Sequence, residues 1–252
     1  MEAETKSRDY QFASSLESGL KLLRCFDAAA PLLGNADLVR RCGLSRSAVS
    51  RLTYTLCELG FLKQDPASRK YHLGAAAVAV GYPLLLSLDV RQRARPAMQA
   101  LARATHGAVF LGMRERHRIV LIETCRAEPR AAVGLDIGAS LSMVGSAIGR
   151  AWLAAAPRFE REEVLRAVKR AEPAEFEQYW EEVKTERLRL SKLGYCVSQE
   201  LMAQGQVSVA TLLSGARGGG VVVGCAAPAS AGAQEAIGAR VVQWVEQWAG
   251  HD

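Results

Sequence analysis

Gly43-Leu44-Ser45-Arg46-Ser47-Ala48-Val49-Ser50-Arg51-Leu52-Thr53-Tyr54 reads as a turn running into a helix. Ser45 is a good N-cap, because its hydroxyl can accept from an orphan first-turn N–H. Val49, Leu52, Leu56 and Leu59 follow at helical spacing, which predicts one buried face. The opposite face shows Arg46, Ser47, Ser50, Arg51 and Tyr54. Small hydroxyls between two arginines let a helix sit deep in a major groove, where Arg pairs with guanine and Ser with base edges or phosphates. Upstream, Leu38, Val39 and Cys42 fall on one face of a shorter helix that stops at Gly43. Downstream, Phe61-Leu62-Lys63-Gln64 and Lys70-Tyr71-His72-Leu73 flank Asp65-Pro66-Ala67-Ser68-Arg69, the pattern of a hairpin with a basic tip. Helix, turn, helix and wing together form a DNA-reading device.

Charge supports this reading. Across 35–73, seven basic residues (Arg40, Arg41, Arg46, Arg51, Lys63, Arg69, Lys70) face three acidic ones (Asp37, Glu58, Asp65). A phosphate-binding module needs such a surplus. The whole chain of 252 residues carries a net charge of +6, and 49% of it is hydrophobic. That is comfortable for two domains and excludes a largely disordered protein.

Around the reading helix, Leu16, Leu20, Leu23 and Phe26 predict an amphipathic helix completing a three-helix core. Leu73 to Leu88 is a connecting helix apolar on several sides, which a partner subunit would cover. Asp89 opens another helix, to Thr105, with Ala94, Met98, Leu101 and Ala102 inside. From Gly107 the period changes to that of strands. Ala108–Met113 and Ile119–Glu123 flank the charged turn 114–118, and Arg130–Leu135 reads as a third strand. Ser146–Ala155 is a helix, and 159–191 holds one or two charged helices burying Trp180, Val183 and Leu188. Tyr195–Val197, Val207–Leu213 and Val221–Ala226 are further strands, with Gly218-Gly219-Gly220 as a tight turn. A helix over Ala231–Trp248 closes the chain. Strands in one antiparallel sheet with helices on its faces make an α+β domain.

Catalysis finds little footing. His72, His106, His117 and His251 lie on a wing, a helix end, a turn and a tail, and no nucleophile-elbow, phosphate-loop or zinc-protease motif occurs. The six cysteines form no C-x-x-C pair, so neither a metal site nor a cofactor is expected. The polar first nine residues carry no apolar signal segment, and no stretch is long enough to span a bilayer, which points to a reducing cytoplasm without membrane association.

These residues resemble the IclR family of bacterial transcriptional regulators, over nearly the whole chain. Gly43–Leu52 is similar to the family's recognition-helix motif, and Glu58-Leu59-Gly60-Phe61 and Tyr71-His72-Leu73-Gly74 resemble the segments bracketing its wing. Leu141–Ala151 resembles its effector-domain helix motif, and Lys192-Leu193-Gly194-Tyr195 precedes the same strand. The resemblance implies a mainly α winged helix-turn-helix domain over 10–74, a linker helix over 75–88 and an α+β GAF-like effector-binding domain over 89–252. It further implies homodimers or homotetramers, a double-stranded DNA operator and a small-molecule effector, often an organic acid.

Two sets of site residues follow. Ser45, Arg46, Ser47, Ser50, Arg51, Tyr54, Arg69 and Lys70 are expected on DNA. Met143, Ser146, Gly205, Ser208, Gly224 and Ala226 are expected around the effector. Ser142-Met143-Val144 stands where the family commonly has Pro-Leu-His. Ser208 and Leu212 replace a Cys and a Pro, and Gly224 and Ala226 replace serines. The pocket is therefore expected to be less polar than usual, suiting a carboxylate on an aromatic or aliphatic body. The two rival readings are a ligand-independent DNA-binding scaffold with a closed pocket and a metabolite-processing enzyme.

Overall fold

The computed structural model describes residues 12–27, 29–128, 135–198, 206–213, 220–230 and 232–249. The chain divides into two compact units between Ser87 and Leu88.

In the first unit, helices α1 (Ser14–Leu23), α2 (Asn35–Cys42) and α3 (Arg46–Glu58) precede a hairpin of β1 (Leu62–Gln64) and β2 (Tyr71–Leu73), then α4 (Ala75–Ser87). The hairpin pairs Leu62 with Leu73 and Gln64 with Tyr71. An isolated bridge from Leu33 to Tyr71 adds a third strand-like segment to the wing. Leu22, Cys25, Phe26, Leu38, Cys42, Val49, Leu56 and Leu62 form one buried cluster. Gly43 takes a left-handed φ of +68°, the conformation that turns α2 into α3 and that glycine adopts without a Cβ penalty.

The expected buried stripe of α1 is displaced. Leu16 and Leu20 are exposed at 63% and 52%, and the core side is Leu22, Cys25 and Phe26. Gly19 meets Leu52 of α3, so the small residue marks the contact and the two leucines face away. Leu59 is likewise exposed, because it is the C-cap of α3 and leaves the helical stripe. Helix α4 buries none of its residues, and Val78, Val80, Tyr82, Leu84 and Leu86 stand in solvent.

The second unit is built on a six-stranded antiparallel sheet of order β5-β4-β3-β8-β7-β6. Its strands are β3 (Ala108–Glu115), β4 (Arg118–Arg126), β5 (Ser140–Ser142), β6 (Cys196–Ser198), β7 (Gln206–Leu212) and β8 (Val222–Pro228). Helices α5 (Asp89–Thr105) and α9 (Ala233–Ala249) pack on this sheet, as does α6 (Ala147–Ala155). Outside α6 lie α7 (Arg158–Ala171) and α8 (Pro173–Leu193). Helix α5 buries Ala94, Met98, Leu101 and Ala102, the face that its spacing predicts.

Strand β5 was not expected from the sequence; a three-residue edge strand is too short to show a period. Of the strand read over 130–135 only Leu135 is described, and it belongs to no strand; of the 218–220 turn only Gly220 is described. On α8 the buried positions are Tyr179 and Glu186, with Trp180 and Val183 half-buried. Leu188 is 58% exposed, since two residues beyond Glu186 is a rotation of about 200° away from the stripe. All six cysteines are free, and five are buried as small hydrophobes. Burial pushes the Cys225 thiol up to about 11.

Candidate nucleic-acid interface and ligand cavity

The reading helix starts as its sequence dictates. Ser45 Oγ accepts from the Ala48 N–H at 3.2 Å and lies 3.2 Å from Ser47 Oγ. Val49, Thr53 and Leu56 are buried, which turns the opposite side outward. Ser45, Arg46, Ser47, Ser50, Arg51 and Tyr54 are all exposed, as are Arg69 and Lys70 on the wing.

The wing tip is organised by Asp65. Its carboxylate accepts from the Ser68 N–H at 2.7 Å and from the Ser68 hydroxyl, and these bonds hold its pKa below the usual aspartate value. The Asp65 N–H donates to Lys70 O at 2.8 Å, and Arg69 adopts a left-handed φ of +58°. A short aspartate turn thus presents Arg69 and Lys70 at the end of the hairpin.

From α2 to the wing the cations divide into two groups. Arg40 pairs with Asp37, and Arg41 donates to Cys25 O at 2.7 Å and pairs with Asp27 at 3.2 Å. Those two are used internally. Arg46, Arg51, Lys63, Arg69 and Lys70 have no ion pair among the described residues. Lys63 and Thr55 are exposed beside the expected set, and the β-hairpin spacing of Lys63 would have found it.

In the second unit, a cavity of about 320 Å³, counted with its space open to solvent, is lined by Phe110, Leu135, Leu141, Ser146, Ala147, Ile148, Ser198, Ser208 and Gly224. Its enclosed part has room for about one water molecule. Of the expected set, Ser146, Ser208 and Gly224 meet at this cavity. Met143 and Ala226 are fully buried in the adjoining core and do not line it. Gly205 lies outside the described residues. Met143 precedes α6 and turns into the core, and Ala226 is held between Ala108 and Ser208 on the neighbouring strands. The apolar walls come instead from Phe110, Leu135, Leu141 and Ile148. Phe110 is a large residue on β3, and it pairs directly with Gly224 on β8.

Residues 142–146 are held by hydroxyls. Ser142 Oγ accepts from the N–H groups of Val144 and Gly145, and Ser146 Oγ donates to Ser142 O at 2.5 Å while accepting from the Gly149 N–H at 3.0 Å. A methyl group on Gly149 would sit 2.5 Å from the Ser142 and Met143 carbonyl oxygens, so only glycine fits where α6 crosses the loop. Ser198 Oγ donates to Gly145 O at 2.6 Å, drawing β6 onto the same loop.

Behind the cavity stands a buried arginine. Arg150, 2% exposed, donates to Val144 O at 2.7 Å and to Val197 O at 3.1 Å, and pairs with Glu182 at 2.5 Å. The Val197 N–H donates to the buried Glu186 carboxylate at 2.9 Å. Both outward polar groups of Val197 on the edge strand are thereby satisfied by side chains, which closes that edge to further pairing. Beside Ser142, burial, followed by the neighbouring Glu172 carboxyl, pushes the Glu175 carboxyl up. Among the described residues no ionisable side chain lines the cavity itself. Among the described residues no cluster of His, Cys, Asp and Glu could hold a metal ion, and no helix is long and apolar enough to cross a membrane.

A winged helix-turn-helix unit whose α3 and wing cations have no ion pair among the described residues, followed by an α+β unit with a small cavity, is the layout of a DNA-binding regulator. The chain belongs to the IclR family. The IclR helix-turn-helix domain matches residues 15–66, and the bacterial transcriptional regulator IclR C-terminal domain matches residues 83–249. The HTH-type transcriptional regulator TsaQ1/TsaQ2 of Comamonas testosteroni is 34% identical over 198 residues, 78% of this chain and 71% of that one. The crystal structure of an IclR family regulator from Brucella abortus has a TM-score of 0.81 at 32% identity, covering 98% of this chain and 95% of that one. An IclR homologue from Microbacterium hydrocarbonoxydans, in complex with 4-hydroxybenzoate, shares the fold with a TM-score of 0.64 at 17% identity, covering 92% and 99%. The chain is therefore a DNA-binding transcriptional regulator and not an enzyme.

Proposed function

We propose that Arg46 and Arg51 read base edges in a major groove, with Ser45, Ser47, Ser50 and Tyr54 beside them, while Arg69 and Lys70 hold phosphates. The observation that carries this reading is the separation of cations. Arg40 and Arg41 are tied to acids, and the five on α3 and the wing are left for a polyanion.

The effector is a small organic acid with an apolar body, bound where Phe110, Leu141 and Ile148 face Ser146, Ser198 and Ser208. The carboxylate is drawn to the start of α6, whose first residues border the cavity and whose N-terminal end carries partial positive charge; no cation is among the described residues of the lining. The 4-hydroxybenzoate bound by the Microbacterium homologue is a molecule of this class and supports the choice. The regulator works in the cytoplasm as a homo-oligomer. The five large side chains exposed on α4 are apolar surface that a second subunit would cover. One observation favours a second reading, a ligand-independent scaffold: the enclosed space takes about one water.

A thermal-shift screen of aromatic and aliphatic acids separates the two readings. A ligand at 100 times its dissociation constant adds about 2.7 kcal/mol. Stabilisation together with altered operator affinity supports the effector reading. A flat response across the screen supports the scaffold.

A further inference from the structure

Gly224 leaves a notch in the floor of the cavity. It stands on β8 between Phe110 of β3 and Ala210 of β7, in the middle of the sheet. A methyl group placed there would meet Ile148 Cδ1 at 3.6 Å and Ile148 Cβ at 3.7 Å, ordinary contact distances. The same Cδ1 lies 3.0 Å from where a Cβ of Gly112 would stand. Ile148, 4% exposed, thus reaches down from the first turn of α6 into space that two neighbouring strands have left without side chains.

Ile148 fills part of the cavity floor, its Cδ1 standing where Gly112 and Gly224 leave room. The serines at its edge are fixed by bonds to backbone, Ser146 to Ser142 O and Ser198 to Gly145 O, and Phe110 is anchored on a central strand. Ile148 is held by packing alone, and a side chain held so can change rotamer without breaking a hydrogen bond. The space it would vacate is apolar and bordered by hydroxyls, which suits the body of a ligand whose polar end meets the serines.

We propose that Ile148 is the plug of this cavity and its specificity-determining residue: an effector enters by displacing the Cδ1 end of Ile148 from the floor at Gly224, and the bulk of residue 148 sets how large a body is admitted. The proposal rests on the effector reading for its purpose. The plug can nevertheless be tested without an effector.

Benzene is the probe, an apolar body with no polar end. Its binding to the full chain is measured by thermal shift and by titration calorimetry. Ile148→Ala should bind benzene about tenfold or more tighter than the wild type, since an emptied apolar cavity takes up such a ligand. Ile148→Val, which removes Cδ1 alone, should move the same way by less, and it keeps the test open if the alanine variant does not fold. Gly224→Ala puts its methyl on the notch floor at ordinary contact distance in the plugged form, so it should fold normally and cancel most of the gain when combined with either variant. An equal benzene affinity in wild type and both Ile148 variants overturns the plug. So does a gain that Gly224→Ala leaves untouched, because the space opened then lies elsewhere. If benzene behaves as expected while no organic acid changes operator affinity, the plug stands and the effector reading fails.

Discussion

The recognition face and the ligand cavity are built in opposite ways. On α3 and the wing, the proposed DNA contacts are side chains that project into solvent, and the fold need only hold their backbone in place. In the cavity, what counts is the absence of side chains at Gly224 and Gly112, the register of three strands and one isoleucine packed into a notch. A face made of projecting residues changes function one residue at a time. A cavity made of packing changes as a unit, and its loss is felt as stability.

Variants should therefore hurt the two regions differently. The largest effect is expected from Arg150→Met, which leaves the buried Val144 and Val197 carbonyls without their donor. An orphaned buried acceptor costs about 1–3 kcal/mol, so two should cost roughly 2–6 kcal/mol, read by urea unfolding of the second unit. Equal stability would mean that the clamp contributes nothing and that the cavity walls stand without it.

Arg46→Ala comes next. It should cost about 1–3 kcal/mol at a specific site if the guanidinium is bidentate to guanine, with no change in thermal unfolding. A loss of the same size on random DNA would make Arg46 a phosphate contact instead. Lys70→Ala should weaken specific and random DNA alike and lower the salt slope by about 1, as a single phosphate contact does.

The smallest effect concerns acid. Asp37, bonded to the Gly34 N–H and Arg40, and Asp65, bonded to Ser68, both have carboxyls held below the usual aspartate value. A lowered folded-state pKa gives stability that is present above the unfolded value and lost as pH falls through the folded one. The first unit should therefore weaken below the ordinary aspartate range near pH 3.8. Asp65→Asn should flatten that decline slightly in circular dichroism melts, and an unchanged profile would remove Asp65 from the wing's stability.

The same contrast explains what the sequence disclosed. The recognition face was legible because an N-cap serine, a 3.6-residue apolar stripe and an Asp-Pro turn are local signals, each set by residues within a few positions. Ser146 was legible for the same reason, as the N-cap of α6. Gly224 and Ser208 were found through family resemblance, and their meeting with Ser198 depends on the pairing of β6, β7 and β8. Met143 and Ala226 lie in the core beside this cavity, and a one-dimensional pattern does not say which apolar residue faces an opening and which faces the core. Ile148 was missed because its role lies in the glycine opposite, on a strand 76 residues away (148 to 224). The exposure of Leu16 and Leu20 has a related cause. Their spacing is helical, but the contact is made by Gly19, and a small residue leaves no mark in a hydrophobic pattern.

The central claim is that this chain recognises DNA sequence through exposed cations on one helix that have no ion pair among the described residues. Fluorescence-anisotropy titration of a selected operator and of random DNA with the Arg46→Ala/Arg51→Ala variant, its fold checked by circular dichroism, tests it most directly. The account predicts that operator affinity falls to the level of random DNA, while the residual binding that remains is salt-sensitive. Unchanged operator affinity in a folded double variant would contradict it.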